Sequence, residues 1–282
     1  MSTPDVTIRG LTPPDVAFIR SLIARQGWNG GRHDVETFAS VDPDAWLIAE
    51  VDGRPVGVTL ATRWNERFGW VGVYLVDPDH RGRGIGLALF HRALERLEPR
   101  SVGLDGDPAQ QANYRRSGFV DVHPNTRWHG STNAWQPSGG VVPAVDVPFD
   151  DLVDLDARAV GAERPALLRA WLDQPEAVSV AVVLRGQVAG FATARPAADG
   201  WKVGPVHAVG ARIAAVAIAG AVAHLPPDTT CWLDVPDPNA QAGELMRTRG
   251  YEASPTSGRM SRGTPPLADL SISFALTAHE VG

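Results

Sequence analysis

One cysteine, Cys231, stands in a chain of 282 residues, so no disulfide can close within it. Disulfide-stapled secreted scaffolds are excluded, and a reducing cytoplasm suits the composition. Cys231 reads as a small apolar core residue. Basic residues are scarce as well: 26 Lys and Arg against 32 Asp and Glu leave a net charge of −6. That balance argues against a broad nucleic-acid face, which needs a basic excess, and is compatible with a cationic ligand. Long apolar runs are missing. The most apolar stretch, 213–225, is alanine-rich and about half the length of a membrane span, so it reads as a buried helix. The opening MSTPDVTIRG lacks the apolar centre of a secretory leader. No cysteine/histidine cluster has metal-ligand spacing, so no metal is expected. A Gly-x-Ser-x-Gly elbow is absent too.

What the chain does have is concentrated in residues 70–97, WVGVYLVDPDHRGRGIGLALFHRALERL. Val71, Val73, Leu75 and Val76 suit a buried strand, and Asp77-Pro78-Asp79 stops it. Leu87, Phe90, Leu94 and Leu97 then fall on one helical face. Between strand and helix lies Arg81-Gly82-Arg83-Gly84-Ile85-Gly86. Its glycines bring backbone N–H groups close to a ligand, and the helix N-terminus adds free donors and a positive dipole end. The pattern describes a phosphate cradle. It is not a P-loop, because no Gly-Lys pair follows. It is not a dinucleotide-binding turn either, because the third glycine position is Leu87 or Leu89.

The pattern that fits is [RQ]-x-x-G-x-[GA] after a strand ending in V-x-P. It resembles the acetyl-CoA motif of the GNAT acyltransferases, with Arg81 opening it and Gly84 and Gly86 carrying its glycines. The second half of that signature lies at 101–119, SVGLDGDPAQQANYRRSGF. GNAT enzymes often place a tyrosine shortly before a Gly-Phe pair to protonate the departing thiolate of CoA, and Tyr114 holds that place. One departure is Asp107, where the family often has asparagine.

The chain also repeats itself. Segments 46–51 and 55–61 read as strands around an Asp52-Gly53 turn, and 179–184 and 187–194 repeat them around Arg185-Gly186. Gly69-Trp70 recurs as Gly200-Trp201, Leu104-Asp105 as Leu233-Asp234, and Ser117-Gly118-Phe119 as Arg249-Gly250-Tyr251, each offset by about 130 residues. Helices are expected after Thr12-Pro13-Pro14-Asp15, over 149–160 and over 164–172. The expected fold class is α/β, a mixed α+β sheet, in two tandem GNAT-like domains whose central parallel strands splay. An N-terminal domain over 1–136 would bind acetyl-CoA. A degenerate C-terminal domain would span 141–282. The linker is placed in the Gly/Pro/Ser-rich stretch 135–140. The copies are unequal. Val209-Gly210-Ala211-Arg212-Ile213-Ala214 replaces the cradle, and Met246 replaces Tyr114. The second half is left to buttress the first, complete its substrate cleft or form a homodimer. The whole layout is similar to the YitH-type tandem acetyltransferases, on Gly27-Trp28-Asn29, Leu233-Asp234-Val235-Pro236 and Gly258-Arg259-Met260.

The resemblance implies an acetyl-CoA-dependent N-acetyltransferase that acts on a primary amine of a small molecule in a ternary complex. Pantetheine would lie in the splay, and the pyrophosphate on the N–H groups of Gly82, Arg83, Gly84, Ile85, Gly86 and Leu87. A backbone N–H of Leu75 or Val76 would polarise the thioester carbonyl. Arg81 and Arg83 either contact phosphates or stay solvated. The family often carries a basic carboxylate on the central strand, but Trp70, Gly72 and Tyr74 stand there. Asp105, at the end of the next strand, either takes the amine's proton, orients the amine or caps the following segment. Trp28 and Asn29, in the loop after the first helix, would border the acceptor. A mycothiol-synthase-like enzyme, a protein-lysine acetyltransferase and a non-catalytic acyl-CoA sensor are the alternatives. Neither nucleic acid nor membrane is expected as a partner.

Overall fold

The paired turns come where the sequence puts them. Asp52 and Gly53 have φ of 51° and 70°, and Arg185 and Gly186 have 52° and 81°. Two left-handed residues in a row give the tight turn that matches strand twist. The computed structural model describes residues 6–136 and 139–282. Pro137 and Ser138, within the expected linker, and residues 1–5 of the opening stretch lie outside the described residues.

The first half runs β1 (Val6–Gly10), α1 (Asp15–Arg25), α2 (Asp34–Val41), β2 (Trp46–Val51), β3 (Arg54–Arg63), β4 (Phe68–Val76), α3 (Ile85–Leu97), β5 (Ser101–Gly106), α4 (Gln111–Arg116) and β6 (Val120–Ser131). The second runs β7 (Val141–Pro143), α5 (Phe149–Val160), α6 (Pro165–Leu172), β8 (Val178–Leu184), β9 (Gln187–Pro196), β10 (Trp201–Ala208), α7 (Ala211–Val222), β11 (Thr230–Pro236), α8 (Ala240–Thr248), β12 (Glu252–Arg262) and β13 (Ser273–Ala275).

All strands join one sheet in the order β1-β2-β3-β4-β5-β12-β6-β11-β10-β9-β8-β7, with β13 on β10. The order reads the same from either end once each strand is exchanged for its counterpart in the other half. Its centre is an exchange of strands. β12 lies between β5 and β6, and β6 lies between β12 and β11, antiparallel throughout. Neither half's sheet is complete without the last long strand of the other.

The cores follow from the sheet. α3 packs Ile85, Leu89, Phe90, Ala93, Leu94 and Leu97 onto the first half, and alanine-rich α7 packs onto the second. Leu87 departs from the expected apolar face. It is 56% exposed and borders an open cleft, while the buried stripe is set by Ile85, Leu89 and Ala93 together with Phe90, Leu94 and Leu97. Thr12 does not cap α1 with its side chain; the Asp15 carboxylate instead accepts from the Thr12 N–H and hydroxyl, at 2.7 Å each.

Among the described residues, no helix is long and apolar enough to cross a membrane.

Candidate active site

β4 and β5 pair in parallel only from Phe68–Ser101 to Trp70–Gly103. Beyond that point they part. β5 stays on β12 along its other edge, from Val102 to Gly106, while β4 stays on β3 through a register slip at Val73, whose φ is 44°. A β-branched residue with positive φ marks a bulge, and the bulge bends β4 away from its neighbour. The gap is a cleft of about 680 Å³, within the range of small-molecule sites. The N-terminus of α3 overhangs it. Gly84 caps that helix at φ 80°, and a Cβ placed there meets nothing within 4 Å. Glycine is therefore needed at Gly84 for conformation, and the space above it is open to a ligand.

Leu75, Val76, Arg81, Gly82, Gly84, Gly86 and Leu87 line the cleft. Arg83 and Ile85 do not. Ile85 is 1% exposed and anchors α3 in the core, while Arg83 faces solvent outside the lining. The Arg81 guanidinium donates to the Val76 carbonyl at 2.9 Å and to Gln26 Oε1 at 2.8 Å. It thus closes the loop onto β4 and the end of α1.

Tyr114, on α4, also lines the cleft. Its ring packs on Phe90 at 5.6 Å and Phe119 at 6.3 Å. Burial, then the nearby Tyr74 and Asp107, push its phenol well above the ordinary tyrosine range. The group therefore keeps its proton at any physiological pH and is available as a donor.

Asp105 also faces the cleft, but its oxygens are engaged. Arg259 of β12 donates to both, at 2.9 and 2.7 Å, and Asn125 of β6 donates at 3.0 Å. Burial alone would raise its proton affinity; the Arg259 guanidinium outweighs that and holds the carboxyl below the ordinary range. Its counterpart Asp234 is bound the same way, by Arg127 of β6 at 2.7 and 2.9 Å. Each aspartate thus ties its strand to the exchanged strand beside it. A carboxylate so paired is a weak base.

Trp28 lies in the cleft wall. Asn29 does too, yet its amide is used: it donates to the Asp199 carbonyl and accepts from the Asp199 N–H, both at 2.9 Å. This clasp fixes the loop after α1 to the β9–β10 turn of the second half.

Residues 273–282 are the part of the site that sequence reasoning missed. β10 and β11 splay as β4 and β5 do, pairing only at Trp201–Cys231 and Lys202–Trp232. That second gap is filled by β13, which pairs with β10, and the Leu276 N–H donates to the Asp234 carbonyl at 2.8 Å. The segment then crosses to the first half. Trp70 Nε1 donates to the His279 carbonyl at 2.9 Å. The buried Arg164, paired with Asp156, donates to the backbone oxygens of Val281 and Gly282 at 3.2 and 2.7 Å. His279 and Glu280 thereby enter the lining of the first cleft, beside Lys202 of β10 and Arg127 of β6. Burial holds the Lys202 ammonium below the ordinary lysine range. The available signal was Gly72: a Cβ on it would collide with the Glu280 carbonyl, and a mid-strand glycine marks such close backbone approach.

Comparison with known proteins agrees with this geometry. Residues 16–119 match the acetyltransferase (GNAT) family model, and residues 152–272 match a second acetyltransferase (GNAT) domain model. The chain is 28% identical over 256 residues to a holothin acyltransferase from Pseudoalteromonas sp. (strain SANK 73390), covering 90% of this chain and 87% of the relative. It is 33% identical over 100 residues to an uncharacterized N-acetyltransferase from Methanocaldococcus jannaschii, spanning 44% of that protein. A Pyrococcus horikoshii protein proposed to be an acetyltransferase superposes with a TM-score of 0.86 at 24% identity, over 100% of this chain and 98% of that one. A tandem GNAT protein from the clavulanic acid biosynthesis pathway gives 0.66 at 16% identity, over 91% and 98%. With one family model on each half and a common fold across the whole, the chain belongs to the GNAT acetyltransferases and carries two of their domains in tandem.

Proposed function

We propose that the β4–β5 cleft binds acetyl-CoA and that the enzyme transfers the acetyl group to a primary amine of a small molecule, by direct attack in a ternary complex. The observation that carries this reading is the open splay under the N-terminus of α3, with a protonated Tyr114 in its lining. The cleft fits the cosubstrate in kind. It offers free N–H groups and a dipole end for a pyrophosphate, unpaired β4 backbone for an amide-bearing arm, and a phenol for the sulfur. When bound, acetyl-CoA supplies an activated acyl group. The backbone of Leu75 and Val76 polarises its carbonyl, and Tyr114 gives a proton to the sulfur as it leaves. Direct transfer is favoured because the one cysteine, Cys231, is buried in the second half with its thiol pushed up to about 12 by burial. The same lone cysteine suits a cytoplasmic setting.

Residues 1–136 form the acetyl-CoA domain in this reading, and residues 141–282 a degenerate partner whose own gap β13 occupies. Asp105 has the role of a strand tie. Calorimetric titration with acetyl-CoA tests the proposal: one site per chain is expected, abolished by Gly84→Asp, which strains a left-handed residue and places a negative charge in the cradle. Absence of binding, or two sites per chain, overturns it.

A further inference from the structure

Beside the cleft lies a second cavity of about 380 Å³, walled by Ile23, Trp28, Val35, Phe38 and Trp46. It meets the cleft at Trp28, Val73 and Glu280, which border both. Four ionisable residues line this second cavity, and three are already paired. Arg20 bonds Glu36, Arg32 bonds Glu176, and Asp34 takes Arg195 on its carboxylate at 2.9 Å. The fourth, Glu280, makes no ion pair among the described residues, and its Oε2 is buried with no hydrogen-bond partner. That oxygen is left to accept a hydrogen bond from a cationic or proton-donating ligand, while the charges of Lys202 and Arg127 act on the carboxylate from the cleft side.

Its position is fixed on both sides. His279 is held by Trp70, and residues 281 and 282 by Arg164. The Glu280 backbone rests on Gly72 of β4. The charged groups that line the two cavities with it include Lys202 from β10, Arg127 from β6, Asp105 from β5, Asp34 from α2 and the adjoining His279.

We propose that this second cavity is the acceptor site, that it takes a primary amine carried on a flat apolar or aromatic body, and that Glu280 accepts the amine's proton. The inference rests on the acetyl-CoA reading above. Glu280 takes one proton from the incoming ammonium and passes it to solvent. The freed nitrogen lone pair forms the N–C bond to the acetyl carbon, and the C–S bond breaks with its electron pair left on sulfur. Glu280 takes the second nitrogen proton, Tyr114 protonates the sulfur, and solvent returns to Tyr114 the proton that Glu280 now carries. The balance is ammonium plus thioester to amide, thiol and one released proton.

The test measures thiol release at saturating acetyl-CoA with 2-phenylethylamine, tryptamine, propylamine and putrescine, for the wild type, Glu280→Gln and Glu280→Asp. Acetyl-CoA affinity is measured in parallel by calorimetry. The arylalkylamines are expected to exceed propylamine in kcat/KM by about tenfold or more, since their rings leave water. Glu280→Gln is expected to lose about a hundredfold near neutral pH, with acetyl-CoA affinity unchanged and the deficit narrowing as the amine deprotonates unaided. Glu280→Asp, which keeps the carboxylate, should recover part of the loss. Glu280→Gln within about threefold of wild type overturns the role of Glu280. Equal use of propylamine overturns the assignment of the cavity. Acetyl-CoA binding with no thiol release from any of the four amines overturns this inference alone, whereas no acetyl-CoA binding overturns the proposed function and this inference with it.

Discussion

The two halves splay their central strands alike, yet only one gap is open. In the first, β4 and β5 part around the cleft; in the second, β10 and β11 part around β13. The segment that fills the second gap runs on to wall the first. It rests on paired glycines, with the Leu276 carbonyl against Gly204 of β10 and the Glu280 carbonyl against Gly72 of β4. A splayed GNAT sheet therefore takes two forms in one chain: in the first half it leaves an open cleft, and in the second it is filled by β13. The comparison also sorts residues by role. What recurs in both halves is structural, as with Asp105–Arg259 and Asp234–Arg127. What differs, as with Tyr114 against Met246, is where we propose that the chemistry lies.

The strongest challenge to that sorting is to break the twin ion pairs. Asp105→Asn and Asp234→Asn should each cost about 3–5 kcal/mol, because each strands a largely buried arginine. The check is urea denaturation of both variants. If Asp105 served mainly as the catalytic base, its variant would lose activity at full folding while the Asp234 variant would not. Both carboxyls are held below the ordinary 3.8 in the folded protein. The stability they contribute is thus fully present above about pH 5 and is lost as pH falls below about 4. Acid titration of the two variants should show a flatter loss than the wild type over that window.

Next in size is Tyr114→Phe. It should lower kcat by about a hundredfold, equivalent to about 2.7 kcal/mol, with acetyl-CoA affinity retained. Met246→Leu, at the matching place on α8, should leave kcat unchanged in the same steady-state assay. A comparable loss from both would erase the distinction between the halves.

The glycine pair gives a smaller effect. Gly72→Ala and Gly204→Ala should each cost about 1–3 kcal/mol by crowding residues 273–282, read from thermal melting. Gly72→Ala alone should also reduce turnover, because it shifts Glu280. Smallest is Asn29→Ala, which removes the clasp to Asp199 and should cost about 1 kcal/mol in the same melts.

Much of this was legible from local pattern. The strand–turn–helix at 70–97, the two tight hairpins and Tyr114 all rest on neighbours within a few dozen residues. β2 and α5 begin and end where periodicity placed them. The apolar face of α3 differs from the expectation at Leu87, because periodicity alone does not tell where a helix face opens onto a cleft. Asp105 was read from its place at a strand end, and its partner lies 154 residues away on β12. No local rule links those two positions.

By itself, the sequence determined which half carries the glycine turn under a helix N-terminus, since glycine conformation and a helix N-terminus are properties of adjacent residues. It also determined the tandem repeat, through side chains that recur at one spacing. Only the tertiary structure decided the exchange of β6 and β12, the filling of the second gap by β13 and the arrival of Glu280 over Gly72. Those contacts join backbone edges far apart in the chain. An unpaired strand edge accepts any strand that reaches it with matching donors and acceptors, so which segment arrives is settled by the packing of the whole sheet.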